Sequence, residues 1–372
     1  MKKMKVSLVL LIMMLLMAGC AKKDNQEANT PEATKTEAVT PGPEASTSQA
    51  DNSNEAKAEE TKEETAQEVT ASAEKIDMKI AALKGATAIG MVEMMESSSL
   101  GEAANNYQFT VAGTADEITA GLIKGDFDIA AVPCNLASVL YNKTEGKIKL
   151  AGINTLGVLY IVETGDSIHT VEDLKGKTIY STGLGTTPQY TLNYLLNSYG
   201  IDPEKDVTIE YKVEATEVAA VLSEAEDAIA MLPQPYVTTV MMTNNKLRIA
   251  LDVAKEWESI SQDGSSVVTG VVVVRKEFLE ENPDAFDAFM KEYKVSADYA
   301  NTNIEEASAL VEKYGIFKAA PTIKAIPYCN ITLITGDEMK AKAEGYLKTL
   351  FDQNPKSVGG KLPAEDFYYL GK

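Results

Sequence analysis

Three short stretches carry the residue types that can cradle a small polar molecule. The first is Lys84-Gly85-Ala86-Thr87, where Thr87 suits the cap of a following helix whose free N–H groups would point at a ligand. A plain strand-to-helix turn capped by Thr87 is the alternative. In the second, Pro133-Cys134-Asn135, Asn135 offers a donor and an acceptor to a polar ligand, and it equally suits the cap of a helix over residues 136–141. The third and richest is Ser181-Thr182-Gly183-Leu184-Gly185-Thr186-Thr187-Pro188. Gly183 and Gly185 permit close backbone approach, Thr186 and Thr187 bring hydroxyls, and Pro188 fits the first position of a helix, where no N–H is needed. Such a loop can seat an oxyanion or a carbonyl without a fixed cation. It lacks the Lys of a Walker loop, and it serves equally as a structural turn.

Aromatic walls for a planar ligand are available from Tyr190, Tyr236 and Trp257, each of which is also a natural core or surface residue. Gln234 stands between Pro233 and Pro235 and can read a ligand amide or ring nitrogen. Other chemistry is poorly supplied. One histidine, His169, and the scattered Cys134 and Cys329 cannot furnish a soft four-ligand metal site, and no nucleophile stands with a base. No cofactor or metal is therefore expected, and the two cysteines are expected as buried free thiols. Arg248 and Arg275 are the only arginines, which excludes a multi-Arg clamp on a polyanion. A net charge of −20 argues against nucleic acid as a partner, since phosphate binding needs clustered Lys and Arg.

The elements that must position these loops alternate between strands and helices. Apolar runs short enough for buried strands occur at 78–83, 128–132, 148–153, 178–181, 207–211, 227–232, 247–253 and 267–274, with helical patterns between many of them. Alternation of this kind implies an α/β fold with mostly parallel sheets covered on both faces. Two small-residue strands, each stopped by a proline at Pro133 and Pro233, echo one another. Ligands of open α/β sheets bind beyond the carboxyl ends of strands, so two such edges facing each other would make a cleft. Beyond Glu277 the pattern is helical to near Gly359, with Phe286, Phe289, Met290 and Tyr293 at spacings that face one core.

At the other end, Lys2, Lys3 and Lys5 precede an apolar run over residues 8–18, too short to span a bilayer and followed by Gly19-Cys20. Leu16-Met17-Ala18-Gly19-Cys20 resembles the lipobox of bacterial lipoproteins, which implies a signal peptide over 1–19 and a lipid on Cys20. Residues 20–75 hold only Val39 and Val69 as large aliphatics and no aromatic residue, so they are expected to be a disordered tether.

From Ile76 onward the chain resembles the substrate-binding proteins of the nitrate, sulfonate, taurine and thiamine-pyrimidine-precursor group of ABC importers. The resemblance rests on Lys84-Gly85-Ala86-Thr87 with Ile89-Gly90-Met91-Val92, on Asp128-Ile129-Ala130 through Asn135-Leu136-Ala137, on Asp173-Leu174-Lys175-Gly176-Lys177, and on the loop from Gly183 to Pro188. It implies a type 2 periplasmic-binding-protein fold, two α/β lobes joined by two crossover strands. The expected division is lobe 1 at 76–163 and 265–372 and lobe 2 at 164–264, with hinges near 162–166 and 261–267. Carried over by position, the ligand contacts fall on Thr87, Pro133, Asn135, Thr186, Thr187 and near Gln234, and Gly183 joins them by its place in the loop. The expected protein is a lipid-anchored extracytoplasmic monomer that binds a small organic solute and partners an ABC permease and ATPase. An extracytoplasmic enzyme, or a sensor using the same cleft, is the competing expectation. A pyrimidine-synthesising enzyme of the same superfamily spends its own active-site histidine and has a Cys-rich motif, neither of which this chain has.

Overall fold

The structure, a computed structural model, describes residues 74–261 and 264–371. The leader, Cys20 and nearly all of the tether lie outside the described residues. Eleven strands among the described residues form two sheets: β1 Asp77–Leu83, β2 Asn106–Ala112, β3 Ile129–Pro133, β4 Ile148–Thr155, β5 Leu159–Glu163, β6 Thr178–Ser181, β7 Thr208–Tyr211, β8 Ile229–Pro233, β9 Arg248–Asp252, β10 Gly270–Arg275 and β11 Ile331–Ile334. The first sheet has the order β11-β4-β10-β3-β1-β2 and the second β7-β6-β8-β5-β9.

Period-2 alternation explains why both sheets are covered on both faces. In β10, Val272 and Val274 enter one core while Val271 and Val273 enter the other, so an unbroken β-branched run is what a central strand needs. In β5, Leu159 and Ile161 face one core of the second lobe, and Tyr160 and Val162 face the other. Phe286, Phe289 and Tyr293 of the helix Pro283–Thr302 are fully buried against the first sheet, with Met290 packed beside them. On the opposite face lies the helix Gly336–Gln353 with Tyr346 and Leu347.

Three expectations are corrected. The sheets are mixed rather than mostly parallel. The chain re-enters the first lobe through β10, which runs antiparallel between β3 and β4, and β5 runs antiparallel between β8 and β9. Because β5 is bonded into the second sheet, the first crossover is residues 156–158 rather than 162–166, and the opening part of the first lobe ends there instead of at residue 163. The C-terminal region is also not wholly helical, since β11 pairs antiparallel with β4.

Both arginines serve the scaffold. Arg248 pairs with the buried Glu163 and donates to the carbonyl oxygen of Ile168 at 2.6 Å. Burial pushes the Glu163 carboxyl up, but the N–H groups of Ile168 and Ser167, the Ser167 hydroxyl and the Arg248 charge together hold it below its usual range. Arg275 lies 3.2 Å from Asp128 and also pairs with Glu277. Cys134 and Cys329 are free and buried in cores on opposite faces of the first sheet.

Candidate functional site

The carboxyl ends of β1, β2 and β3 in the first lobe, and of β6, β7 and β8 in the second, open onto one cavity of about 480 Å³. The first lobe contributes the loop from Leu83 to Thr87, the turn from Gly113 to Asp116, Pro133, Thr155, Thr269 and Gly270. The second contributes Thr182 to Leu184, Thr186 to Pro188, Lys212, Val213, Ala215, Pro233, Gln234 and Tyr236. Val158 and Leu159, at the crossover, complete the lining. The proline echo in the sequence now has a spatial meaning. Pro133 is paired with Gly270 at the start of β10 and Pro233 with Leu159 at the start of β5, so each lobe presents the same strand-end corner to the cavity.

Three residues of the lining carry buried polar atoms that have no partner. Gln234 is 1% exposed; its Oε1 accepts from the Thr238 N–H at 3.2 Å and the Thr238 hydroxyl at 2.8 Å, while its Nε2 has no partner. The hydroxyls of Thr155 and Thr269 are likewise without a partner. A buried polar group left unpaired costs about 1–3 kcal/mol, so a ligand that supplies partners here gains by doing so. Tyr236 forms a wall, its ring 4.9 Å from that of Phe317, and burial, with Glu214 nearby, pushes its hydroxyl up to about 12, so the phenol stays neutral at physiological pH. At the rim, Glu214 of the second lobe abuts Gly113 of the first: a Cβ on Gly113 would lie 3.1 Å from the Glu214 carboxylate.

Of the residues expected in the site, Thr87, Pro133, Gly183, Thr186, Thr187, Gln234 and Tyr236 line the cavity. Thr87 does so without capping a helix: Gly85 takes the cap position of the helix Ala86–Ile89, and the Thr87 hydroxyl donates to Leu83 at 2.7 Å. Three residues are placed elsewhere. Asn135 is fully buried in the first turn of the helix Cys134–Lys143. It donates to Ser357 at 2.9 Å and Gly185 at 3.3 Å and accepts from the Thr187 hydroxyl at 3.2 Å, which makes it a tie between lobes. Trp257 is fully buried in the seam where the helix Val253–Ile260 meets Tyr346, and Tyr190 packs beside that seam. The sequence reading missed Thr155 and Thr269. Thr155 is the polar end of the buried strand β4, and Thr269 is a polar residue that interrupts the apolar run 267–274 just before β10, and these are the signals that mark them.

Among the described residues, no group of three or more His, Cys, Asp and Glu is placed to hold a metal ion. Burial pushes the Cys134 thiol well above its ordinary range, so it is a packed core group rather than a nucleophile.

Two α/β lobes, two crossovers and a cavity between facing carboxyl edges define the type 2 periplasmic-binding-protein class. Comparison with known proteins agrees with that architecture. Residues 148–307 match the family model described as NMT1/THI5 like. A crystal structure described as an ABC transporter from Parabacteroides distasonis is 27% identical, with a TM-score of 0.65 over 78% of this chain and 98% of that one. The periplasmic aliphatic sulphonate binding protein SsuA from Escherichia coli shares the fold at 16% identity, with a TM-score of 0.63 over 80% of this chain and 92% of that one. The periplasmic nitrate-binding protein NrtA from Synechocystis shares it at 12% identity, with a TM-score of 0.59 over 78% and 83%. YtlA of Bacillus subtilis, named as a candidate binding protein, is 24% identical over 181 residues, covering 47% of this chain and about half, 51%, of that relative's length. Residues 148–307 thus resemble the NMT1/THI5-like model, and the chain shares the fold of the SsuA and NrtA structures, as the sequence resemblance implied.

Proposed function

We propose that this chain is the solute-binding component of an ABC importer, a lipid-anchored extracytoplasmic clamp rather than an enzyme. The observation that carries the reading is the cavity between the lobes, with Gln234 Nε2 and the Thr155 and Thr269 hydroxyls unpartnered in its lining. A site built for capture needs such groups and needs no nucleophile or base. The solute is a small organic molecule, a nitrogen heterocycle such as a thiamine-pyrimidine precursor or a sulfonate, delivered by the monomer to a permease driven by an ATPase. Lobe closure is favoured by a ligand that contacts both halves.

A thermal-shift screen over pyrimidine precursors, flavins, sulfonates and amino acids tests the reading. A true ligand at 100 times its dissociation constant is expected to stabilise the chain by about 2.7 kcal/mol. Absence of any stabilising solute, or turnover of the bound compound, would count against it. The anchor has its own test: Cys20→Ala is expected to release the protein from the membrane fraction into the medium. A variant that stays with the membrane removes the lipid from the account.

A further inference from the structure

The cavity has a hydrogen-bonding pattern that fits one class of ligand better than another. A backbone N–H can only donate, so the Thr238 N–H fixes which end of the Gln234 side-chain amide is oxygen. The unpartnered end is therefore an NH₂ group, which donates and cannot accept. Thr155, 1% exposed, and Thr269 add hydroxyls that can either donate or accept.

Charge is nearly balanced around this pattern. Arg248 and Arg275 are both engaged in the scaffold and neither lines the cavity. The lysines that do line it have neighbours: the Lys84 ammonium sits 5.7 Å over the Phe317 ring, and that of Lys212 lies 3.4 Å from Glu210 and 5.4 Å over Tyr180. Asp116 stands in the same lining and Glu214 abuts the rim at Gly113. The glycine loop, which could have seated an oxyanion, spends much of its donor capacity internally. Gly185 N–H goes to Gln189 at 2.7 Å, the Thr186 N–H and hydroxyl both go to the Gly183 carbonyl, and the Thr187 hydroxyl goes to Asn135. A chain of net charge −20 also lowers the local concentration of anions at the mouth.

We infer that the cleft selects an uncharged solute with an apolar body, holding its carbonyl or ring-nitrogen acceptor on Gln234 Nε2 and a neighbouring polar group on Thr155 or Thr269, and that it discriminates against the matching oxyanion. Leu83, Val158, Leu159, Leu184, Val213 and Tyr236 supply the apolar walls. The inference rests on the solute-binding reading and narrows it.

Pairs of similar shape in which an amide is exchanged for the matching oxyanion test it: nicotinamide with nicotinate, benzamide with benzoate, and butanesulfonamide with butanesulfonate, titrated calorimetrically into the full chain. The uncharged member of each binding pair is expected to bind at least tenfold tighter. Gln234→Glu keeps an oxygen for Thr238 and removes the NH₂ donor, so it is expected to lose at least tenfold in affinity for the amide. At least one of Thr155→Val and Thr269→Val, close in shape, is expected to lose affinity too, and the pair covers the case in which Gln234→Glu does not fold. Anions that bind as tightly as their amides, or amide affinity unchanged in folded variants, overturn the inference and leave solute binding intact. Should none of these pairs bind, the ligand found by the broad screen decides: an anion overturns the inference, and so does a neutral compound indifferent to Gln234→Glu. A broad screen that finds no ligand overturns the solute-binding reading itself, and this inference falls with it.

Discussion

Trp257→Ala is expected to cost the fold about 3–5 kcal/mol, the range for deleting a fully buried large aromatic side chain. The ring is 0% exposed, with its centroid 4.1 Å from that of Tyr194 and 5.3 Å from that of Tyr346. Its indole N–H donates to the Ser265 hydroxyl at 3.2 Å, and that hydroxyl lies 3.4 Å from Thr349. Trp257 and Tyr194 belong to helices of the second lobe, whereas Tyr346 and Thr349 sit on the helix Gly336–Gln353 that braces the first. The Thr191 hydroxyl reinforces the same junction at 2.7 Å from that of Tyr346. The loss is large beside a typical total stability of about 5–15 kcal/mol, because the cavity would open at the seam, where neither lobe alone can collapse to fill it. Denaturant unfolding followed by circular dichroism measures it, since the substitution removes the chain's one tryptophan. A cost below about 1 kcal/mol would mean that the seam contributes little to holding the lobes.

What was legible in the sequence, and what was not, follows the same division between sheets and seams. β10 could be read because Val271 to Val274 is an uninterrupted β-branched run, and only a strand buried on both faces tolerates that. β11 could not, since Ile331-Thr332-Leu333-Ile334 is four residues among helices, too short for any period to emerge. β5 follows β4 after only three residues, so its apolar alternation merged with the crossover and displaced the expected hinge. In the site, the loops were legible because glycines, prolines and hydroxyl residues at strand ends have a local geometric meaning. The role of each aromatic was not. A lobe seam and a ligand wall both bury rings between the same two bodies, and only the fold distinguishes Trp257 in the seam from Tyr236 at the cavity. Asn135 was misjudged for a related reason: its donor and acceptor are used as fully as a ligand would use them, but by Gly185, Thr187 and Ser357.

That placement of Asn135 yields the second large effect. Asn135→Ala leaves the Ser357 and Gly185 carbonyls and the Thr187 hydroxyl without their shared partner inside a buried contact, and the chain is expected to lose about 2–4 kcal/mol even with no ligand present. Thr187→Val removes one of the three bonds with little change of shape and is expected to cost about 1 kcal/mol. Because the two side chains meet directly, the double variant should lose less than the sum, with a coupling of about 0.5–1 kcal/mol. Had Asn135 served the ligand instead, its removal would leave the ligand-free stability nearly unchanged and weaken binding alone. Unfolding curves of the wild type, both single variants and the double variant separate the cases. Additivity within about 0.3 kcal/mol would deny the tie. Because Gly185 and Thr187 belong to the loop that lines the cavity, loosening the tie also frees one wall of the site, so affinity is expected to fall together with stability.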